Sequence, residues 1–406
     1  MSRFSGKNIA VGVGGGIAAY KACELVRAFV KEGAAEVRVC LTRSATQFVS
    51  PLTFQALARR PVLTDLLDPA QDSAYGHLAI SRGLDLFVIT PATADLLARI
   101  RAGMGGDAVT TTLLAARCPV LLAPAMNTAM WENELVQQNV AALRELPRFH
   151  FVGPESGALA DGDVGAGRLA TLDAILDSAE RLLAPQDLAG RRVLVTAGPT
   201  REAIDPVRFV SNRSSGKMGY AIAAAARRRG AEVTLVSGPV SIPAPPGVTV
   251  VRITTAQEML RATLAALPGM HAVVAAAAVA DYRPAQVSAQ KLKKGDGPET
   301  LQLERTPDVL GEASQAAGTG PLRPVFVGFA AETQDLLANA QAKLQKKNLD
   351  LVVANDVAQS DRGFDVDQNA ATLLHRDGKQ ESLALQRKDA LADAVLDRVA
   401  ALLAAR

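Results

Sequence analysis

The chain has 406 residues, 49% of them hydrophobic and 21% charged, a balance that excludes disorder as its main state and leaves room for two or three domains at ~150 residues each. With 44 Lys plus Arg against 41 Asp plus Glu, the net charge is +3, too little for broad electrostatic capture of nucleic acid. In chain order, residues 8–13 (NIAVGV) read as a strand, a helix starts near Ile17, residues 37–42 (VRVCLT) form a second strand and residues 53–58 a helix. A strand at 84–90 (LDLFVIT), a helix after Pro91 and a strand at 119–124 (PVLLAP) follow. Such alternation of short β-rich runs with helices predicts βαβ units on a parallel sheet. The rhythm breaks at Ala184-Pro185-Gln186 and restarts at 191–198 (RRVLVTAG), a helix at 219–230 and a strand at 232–238. Two α/β domains of doubly wound, Rossmann-like type are therefore expected, 1–188 and 189–406. Each carries a helix closed by glycine before a Val-rich strand, KEGAAEVRV in the first and RRRGAEVTLV in the second. The last helix runs to the C-terminus.

Cys23, Cys40 and Cys118 lack CxxC spacing and stand among apolar neighbours. They read as reduced core thiols of a cytoplasmic protein. The longest wholly apolar run, AVVAAAAVA at 272–280, is far short of the ~18 residues of a membrane helix. The basic start at Arg3 and Lys7 imitates a signal peptide, but IAVGVGGGIAAY holds four glycines, which disfavours an inserting helix.

In doubly wound sheets ligands bind beyond the C-terminal ends of the strands. After the first strand, Gly14, Gly15, Gly16 and Ile17 lie in a GxGxxA match whose glycines let backbone amides approach a phosphate at a helix start, although a plain tight turn explains them too. The second strand ends in Thr42-Arg43-Ser44, where an NAD site would carry Asp or Glu, so a cofactor with a terminal phosphate fits better. Hydroxyls of Thr42 and Ser44 and the segment Pro91-Ala92-Thr93-Ala94 reach the same sheet edge, with ordinary helix capping as the competing role. His77 follows Gly76, and Asn127 follows the 119–124 strand within PAMNTAMW, which holds the only tryptophan. In the second half SNRSSGKMG fails as a Walker loop, with Ser211 in place of its first glycine and Met218 in place of the magnesium-binding Ser or Thr. It reads as a helix-start anion site of another kind. The 272–280 strand ends in Asp281-Tyr282-Arg283, with Lys291, Lys293 and Lys294 close behind. A carboxylate beside several ammonium groups suits a magnesium nucleotide, and a solvated loop is the bland alternative.

GGGIAAYK, TPATAD, Gly76-His77, PAMNTAMW and GALADGDVGAGR together resemble the flavin-dependent cysteine decarboxylases, and SNRSSGKMG, AAVADYR, KLKK, GFAAET and KNLDLVVANDV resemble the phosphopantothenate-cysteine ligases. Joined in this order over essentially the whole chain, they resemble the bacterial bifunctional coenzyme A biosynthesis family. That resemblance implies a flavodoxin-like FMN domain followed by a ligase domain. The ligase would use CTP and Mg2+ to join 4'-phosphopantothenate to L-cysteine through an acyl-cytidylate. In the decarboxylase, FMN would oxidise the cysteinyl moiety to a thioaldehyde that loses carbon dioxide, and the hydride would then return to give 4'-phosphopantetheine. The resemblance places FMN on Gly14–Ile17, Thr42, Ser44, Pro91–Ala94 and Met104. It makes His77 the base and Asn127 the amide that grips the departing carboxylate. It assigns Asn212 to the cytidylate, Lys291 to the triphosphate and Asp281 to the metal. CTP would touch Ala275, Ala276, Ala277, Asp281, Lys291, Thr306, Pro307, Asp308, Val309, Phe329, Lys343 and Lys347. A homo-oligomer is implied, a dodecamer built from decarboxylase trimers with ligase halves paired as dimers, and no nucleic acid or membrane partner. Where many such decarboxylases carry a flap cysteine as proton donor, this chain has Asp161. Either Asp161 is the acid or solvent donates the proton. A flavin-binding scaffold or inhibitor without turnover is the alternative reading.

Overall fold

The computed structural model describes residues 3–66, 76–159, 162–293, 300–332, 336–356 and 368–406. The chain divides into two compact units, Met1–Pro185 and Gln186–Arg406.

In the first unit, β1 (Asn8–Val13), α1 (Ala19–Lys31), β2 (Glu36–Leu41), α2 (Pro51–Ala58), β3 (Val62–Leu63) and α3 (Gly76–Ser81) lead to β4 (Leu86–Ala92). There follow α4 (Ala94–Arg101), α5 (Ala108–Ala115), β5 (Val120–Pro124), α6 (Thr128–Glu132), α7 (Glu134–Arg144) and β6 (Phe149–Phe151). The hairpin β7 (Glu155–Ala158) and β8 (Val164–Arg168) and the helix α8 (Leu172–Leu183) complete it. The sheet order is β3-β2-β1-β4-β5-β6, parallel throughout, with the order reversing between β1 and β4. Helices cover both faces, so the central strands are buried on both sides and read as unbroken apolar runs. Helix α1 buries Ala22, Leu25, Val26 and Phe29, a stripe at helical spacing that faces Ile9, Val11 and Val39 in one cluster.

In the second unit, β9 (Arg192–Ala197), the hairpin β10 (Arg201–Ala203) and β11 (Phe209–Ser211), α9 (Lys217–Arg228), β12 (Glu232–Ser237) and β13 (Thr249–Arg252) come first. Next are α10 (Ala256–Ala266), β14 (Ala272–Ala275), the paired β15 (Tyr282–Pro284) and β16 (Leu303–Arg305), α11 (Val309–Ala316) and β17 (Val325–Glu332). The rest is α12 (Leu336–Lys346), β18 (Leu351–Asp356), β19 (Gln368–His375), β20 (Gln380–Arg387) and α13 (Lys388–Ala404). The order β13-β12-β9-β14-β17-β18 repeats the pattern of the first unit, and β19 and β20 then extend the sheet antiparallel. Both sheets are thus doubly wound, and in sheets of this kind ligands bind in the crevice where the strand order reverses.

The strand expected over 272–280 spans only Ala272–Ala275. Its neighbour β9 ends at Ala197, but irregular parallel pairing continues past both strands to a bridge between Pro199 and Ala278. Ala276 N and Ala278 N donate to Thr196 O and Gly198 O at 3.1 and 2.9 Å. The antiparallel pair β19–β20 and the small hairpins carry little helix–strand alternation and were not anticipated. No described helix is long and apolar enough to cross a membrane.

Candidate functional sites

Beyond the C-terminal ends of β1, β2 and β4 lies a cavity of about 1130 Å³, large enough for a nucleotide-sized cofactor. Its wall includes Gly15–Ile17, Thr42–Ser44, Pro91, Thr93, Ala94 and Asn127. Small residues let these segments converge. A Cβ on Gly14 would stand 2.2 Å from Pro91 O, and one on Gly15 would stand 2.2 Å from Ser44 Cβ. The glycine run thus serves close approach of three strand ends, with the N-terminus of α1 turned to the cavity.

The hydroxyls also cap. Thr93 Oγ1 accepts from Leu96 N at 3.3 Å to start α4, and Thr42 Oγ1 accepts from Ala45 N at 3.1 Å. Asn127 Oδ1 accepts from Ala129 N at 2.8 Å and starts α6. Capping and lining coexist because a helix that begins at a strand end begins at the crevice. The hairpin β7–β8 reaches the same place, with Met126 N donating to Gly167 O at 3.0 Å, and contributes Ala158, Gly167 and Arg168 to the wall.

The charge balance of the wall was not legible beforehand. Asp95 pairs with Arg99 at 3.0 Å, and Asp107, the capping-box residue of α5, lies 3.8 Å from the same guanidinium. Lys21, Arg43 and Arg168 line the cavity without an acidic partner among the described residues. An excess of cation around a glycine-lined helix start fits a ligand carrying phosphate.

Gly14 and Ala92 sit just behind the wall, and Ala92 is fully buried in β4. Met104, 52% exposed beyond the end of α4, is not a lining residue. Neither is His77, which is the second residue of α3 and half-buried. Asp161 lies outside the described residues.

In the second unit, the candidate nucleotide residues gather at the C-terminal ends of β14 and β17. Ala277 N donates to Thr196 Oγ1 at 3.4 Å, and Thr306 N donates to Asp281 O at 3.0 Å. The Thr306 hydroxyl donates to Ala280 O at 2.5 Å. Pro307 and Val309 flank Asp308, which accepts from Gly311 N at 3.0 Å to start α11. Lys343 Nζ donates to Phe329 O at 2.6 Å, and Lys347 Nζ donates to Asp308 Oδ1 at 2.7 Å. The two lysines, four apart, therefore reach the Phe329 carbonyl of β17 and the N-cap of α11. Desolvation pushes the Asp308 carboxyl up, but the hydrogen bonds from Lys347 and Gly311 N and the charges of Lys347 and Lys343 together hold it below its ordinary value.

Asn212 Nδ2 donates to Val279 O at 2.9 Å, which ties the segment before α9 to the segment after β14. Gly216, at φ +75°, caps α9, and Lys217 opens it. Lys291 is exposed, yet its neighbour is gripped. Leu292 N donates to Asp205 Oδ2 at 3.2 Å, and Leu292 O accepts from Arg208 Nη2 at 2.9 Å. Asp205 is buried, and the Arg208 side chain and the backbone N–H groups of Val207, Arg208 and Leu292 overcome its desolvation to hold its carboxyl far below the ordinary range. Sequence reading missed this pair, for which DPVR offered only a turn signal. Among the described residues no group of three or more His, Cys, Asp or Glu is placed to hold a metal, and Asp281 is exposed. Lys294 is outside the described residues.

The first unit matches the family described as Flavoprotein over residues 2–184, and the second matches the family described as DNA/pantothenate metabolism flavoprotein C-terminal domain over residues 188–403. Across the whole chain, a coenzyme A biosynthesis bifunctional protein from Vibrio cholerae is 48% identical over 98% of this chain and 98% of its own. The chain belongs to that family. Other coenzyme A biosynthesis bifunctional proteins are 46% identical in Escherichia coli K12, over 97% of both chains, and 47% identical in Mycobacterium tuberculosis, over 98% of this chain and 97% of theirs. A crystal structure of the C-terminal domain of such a bifunctional protein is 40% identical and covers 54% of this chain and all of its own, with a TM-score of 0.47. The FMN-dependent cysteine decarboxylase SpaF is 31% identical and covers 43% of this chain and 99% of its own, with a TM-score of 0.37.

Proposed function

We propose that the second unit joins 4'-phosphopantothenate to L-cysteine at the expense of CTP, and that the first unit converts the product to 4'-phosphopantetheine with FMN. The observation that carries this reading is the cation-rich cavity at the first sheet's reversal point, where the glycine-lined start of α1, Thr93 and Asn127 meet.

FMN bound there supplies a two-electron acceptor for the cysteinyl thiol and then a donor of the same electrons. Gly15, Gly16 and Ile17 would hold the flavin phosphate through their amides, with the hydroxyls of Thr42, Ser44 and Thr93, and Gly14, Pro91, Ala92, Ala94 and Met104 would shape the surround. His77 would take the thiol proton as the adjoining carbon gives up its hydride, which leaves the thioaldehyde. Asn127 holds the carboxylate until it leaves as carbon dioxide. Asp161 or solvent returns one proton as the hydride comes back, so the product differs from the substrate only by the lost carbon dioxide.

In the second unit, Lys291 would bind the triphosphate, and Asp281 would offer a carboxylate to Mg2+ carried by the nucleotide. A lone exposed carboxylate suits a metal carried by phosphates better than an all-protein cage. Ala275–Ala277, Thr306–Val309, Phe329, Lys343 and Lys347 hold the cytidine part. The phosphopantothenate carboxylate displaces pyrophosphate from CTP, and the cysteine amine then displaces CMP, with Asn212 orienting the acyl-cytidylate. The chain acts as a homo-oligomer, its ligase halves paired and its decarboxylase halves building a dodecamer. The bifunctional names of its relatives support turnover over a scaffold role.

Incubation with phosphopantothenate, cysteine, CTP and Mg2+, followed by mass spectrometry, tests the whole scheme. Phosphopantetheine, pyrophosphate and CMP are expected. Accumulation of an unsaturated thiol two mass units lighter than phosphopantetheine, by the stoichiometry of one withheld hydride and proton, would show the reductive half to be absent. No product at all would sink the assignment.

A further inference from the structure

The helix that carries His77 cannot hold itself in place. At six residues, α3 is far below the length at which an isolated helix is stable. Its last carbonyls have no partner within the helix. One side chain supplies them. Arg38, on β2, donates through Nη1 to Ala79 O at 3.0 Å, Ile80 O at 2.8 Å and Arg82 O at 2.6 Å. Its other nitrogen, Nη2, donates to Glu36 Oε2 at 2.7 Å, two residues away on the same strand face. Glu36 is in turn approached by Arg60 at 3.3 Å. The guanidinium is therefore aimed from behind and spends one end on the Ala79 and Ile80 carbonyls of α3 and the Arg82 carbonyl just past its end, where a cation also complements the helix dipole. The Arg38 hydrogen bond is the leading influence holding the Glu36 carboxyl below its ordinary value, so the aiming partner stays charged. Asn8 fixes the next turn, donating from Nδ2 to Gly83 O at 3.1 Å. At the other end of α3, Gly76 lies against Leu63 of β3.

We infer that Arg38 is the positioning residue for His77: by tying the C-terminal carbonyls of α3 to β2, it sets where the imidazole stands for proton transfer. This rests on the reading of His77 as the base. Arg38 is not among the residues that line the first-unit cavity. It acts because a base displaced by about 1 Å can lose ~100-fold in rate.

The test uses the full chain loaded with FMN and synthetic phosphopantothenoylcysteine, with carbon dioxide release as the readout. Arg38→Gln keeps a donor too short to span the three carbonyls, whereas Arg38→Lys places an ammonium that reaches them. Arg38→Gln is expected to lower kcat about 10- to 100-fold with KM within about twofold, flavin content unchanged and ligase turnover unchanged. Arg38→Lys is expected to recover most of the loss. Glu36→Gln, which removes the aiming partner but leaves the grip, serves where Arg38→Gln does not fold, and is expected to lower kcat by about two- to fivefold at parent KM.

Parent kcat in Arg38→Gln, or in Glu36→Gln where that variant stands in, overturns the inference. So does a kcat loss matched by equal flavin loss, or an Arg38→Lys as impaired as Arg38→Gln. His77→Asn separates the two readings. If it decarboxylates at the parent rate, the reading of His77 as base falls. If it is inactive while Arg38→Gln is not impaired, only the role of Arg38 falls.

Discussion

Asn127 starts α6 by accepting from Ala129 N while its segment faces the cavity, so its cap and its proposed grip on a carboxylate can be separated. Asn127→Asp preserves a good cap but sets a negative charge against the departing carboxylate. Thermal stability within about 0.5 kcal/mol of the parent, retained FMN absorbance and carbon dioxide release reduced at least ~100-fold are expected. Near-parent release would leave Asn127 as a cap alone. The cysteines give a second residue-scale prediction. Burial pushes the Cys118 thiol up to about 11 and the Cys40 thiol further still. A folded value above the unfolded one, ~8.5 for a thiol, means stability fully present below about pH 8.5 and lost as pH rises toward 11. The urea midpoint of the first unit should fall across that window, less steeply in Cys40→Ala/Cys118→Ala, and neither thiol should react with a disulfide reagent at pH 8 in the native state. Equal slopes in parent and variant would rule the thiols out as its cause.

Elements are tied together by a few charged groups placed at helix ends. Arg229, at the C-cap of α9, is 2% exposed and donates to Asp187 through Nε at 2.9 Å and to Asp397 of α13 through Nη1 at 2.8 Å. Leu188 N donates to the Arg229 carbonyl at 3.1 Å, so the first residues of the second unit, α9 and α13 meet at one guanidinium. Arg229→Met fills the volume but strands two carboxylates, which are partly solvated and so cost less than fully buried ones. A loss of about 2–4 kcal/mol in urea unfolding of the second unit is expected. A change below 0.5 kcal/mol, about the level of an ordinary surface substitution, would show the cluster to be incidental. The sequence displayed RRRG as a helix end with a glycine stop, and Gly230 does take φ +90°. Which of three adjacent arginines turns inward depends on the helix phase relative to α13, a contact 164 residues or more away.

At the scale of the molecule, the two compact units meet in the chain at Pro185–Gln186, and each has its own core clusters. Cutting the gene between them should yield a yellow fragment 1–185 that decarboxylates and a colourless fragment 186–406 that ligates, which together regenerate phosphopantetheine from phosphopantothenate. Loss of both activities on separation would show that neither half stands alone. Strand and helix alternation, the break near residue 185 and the glycine and threonine segments at strand ends were legible in the sequence, because local propensity, apolar periodicity and turn chemistry write them into consecutive residues. So was the family, through the motifs of both halves. Tertiary structure alone decided the rest. It joined Arg38 to α3, Asp205 and Arg208 to Leu292, and Lys347 to Asp308. It left Lys21, Arg43 and Arg168 lining one cavity with no acidic partner among the described residues. Such pairings link residues distant in sequence, and they follow from the order and register of strands in a packed sheet, which no local run of residues specifies.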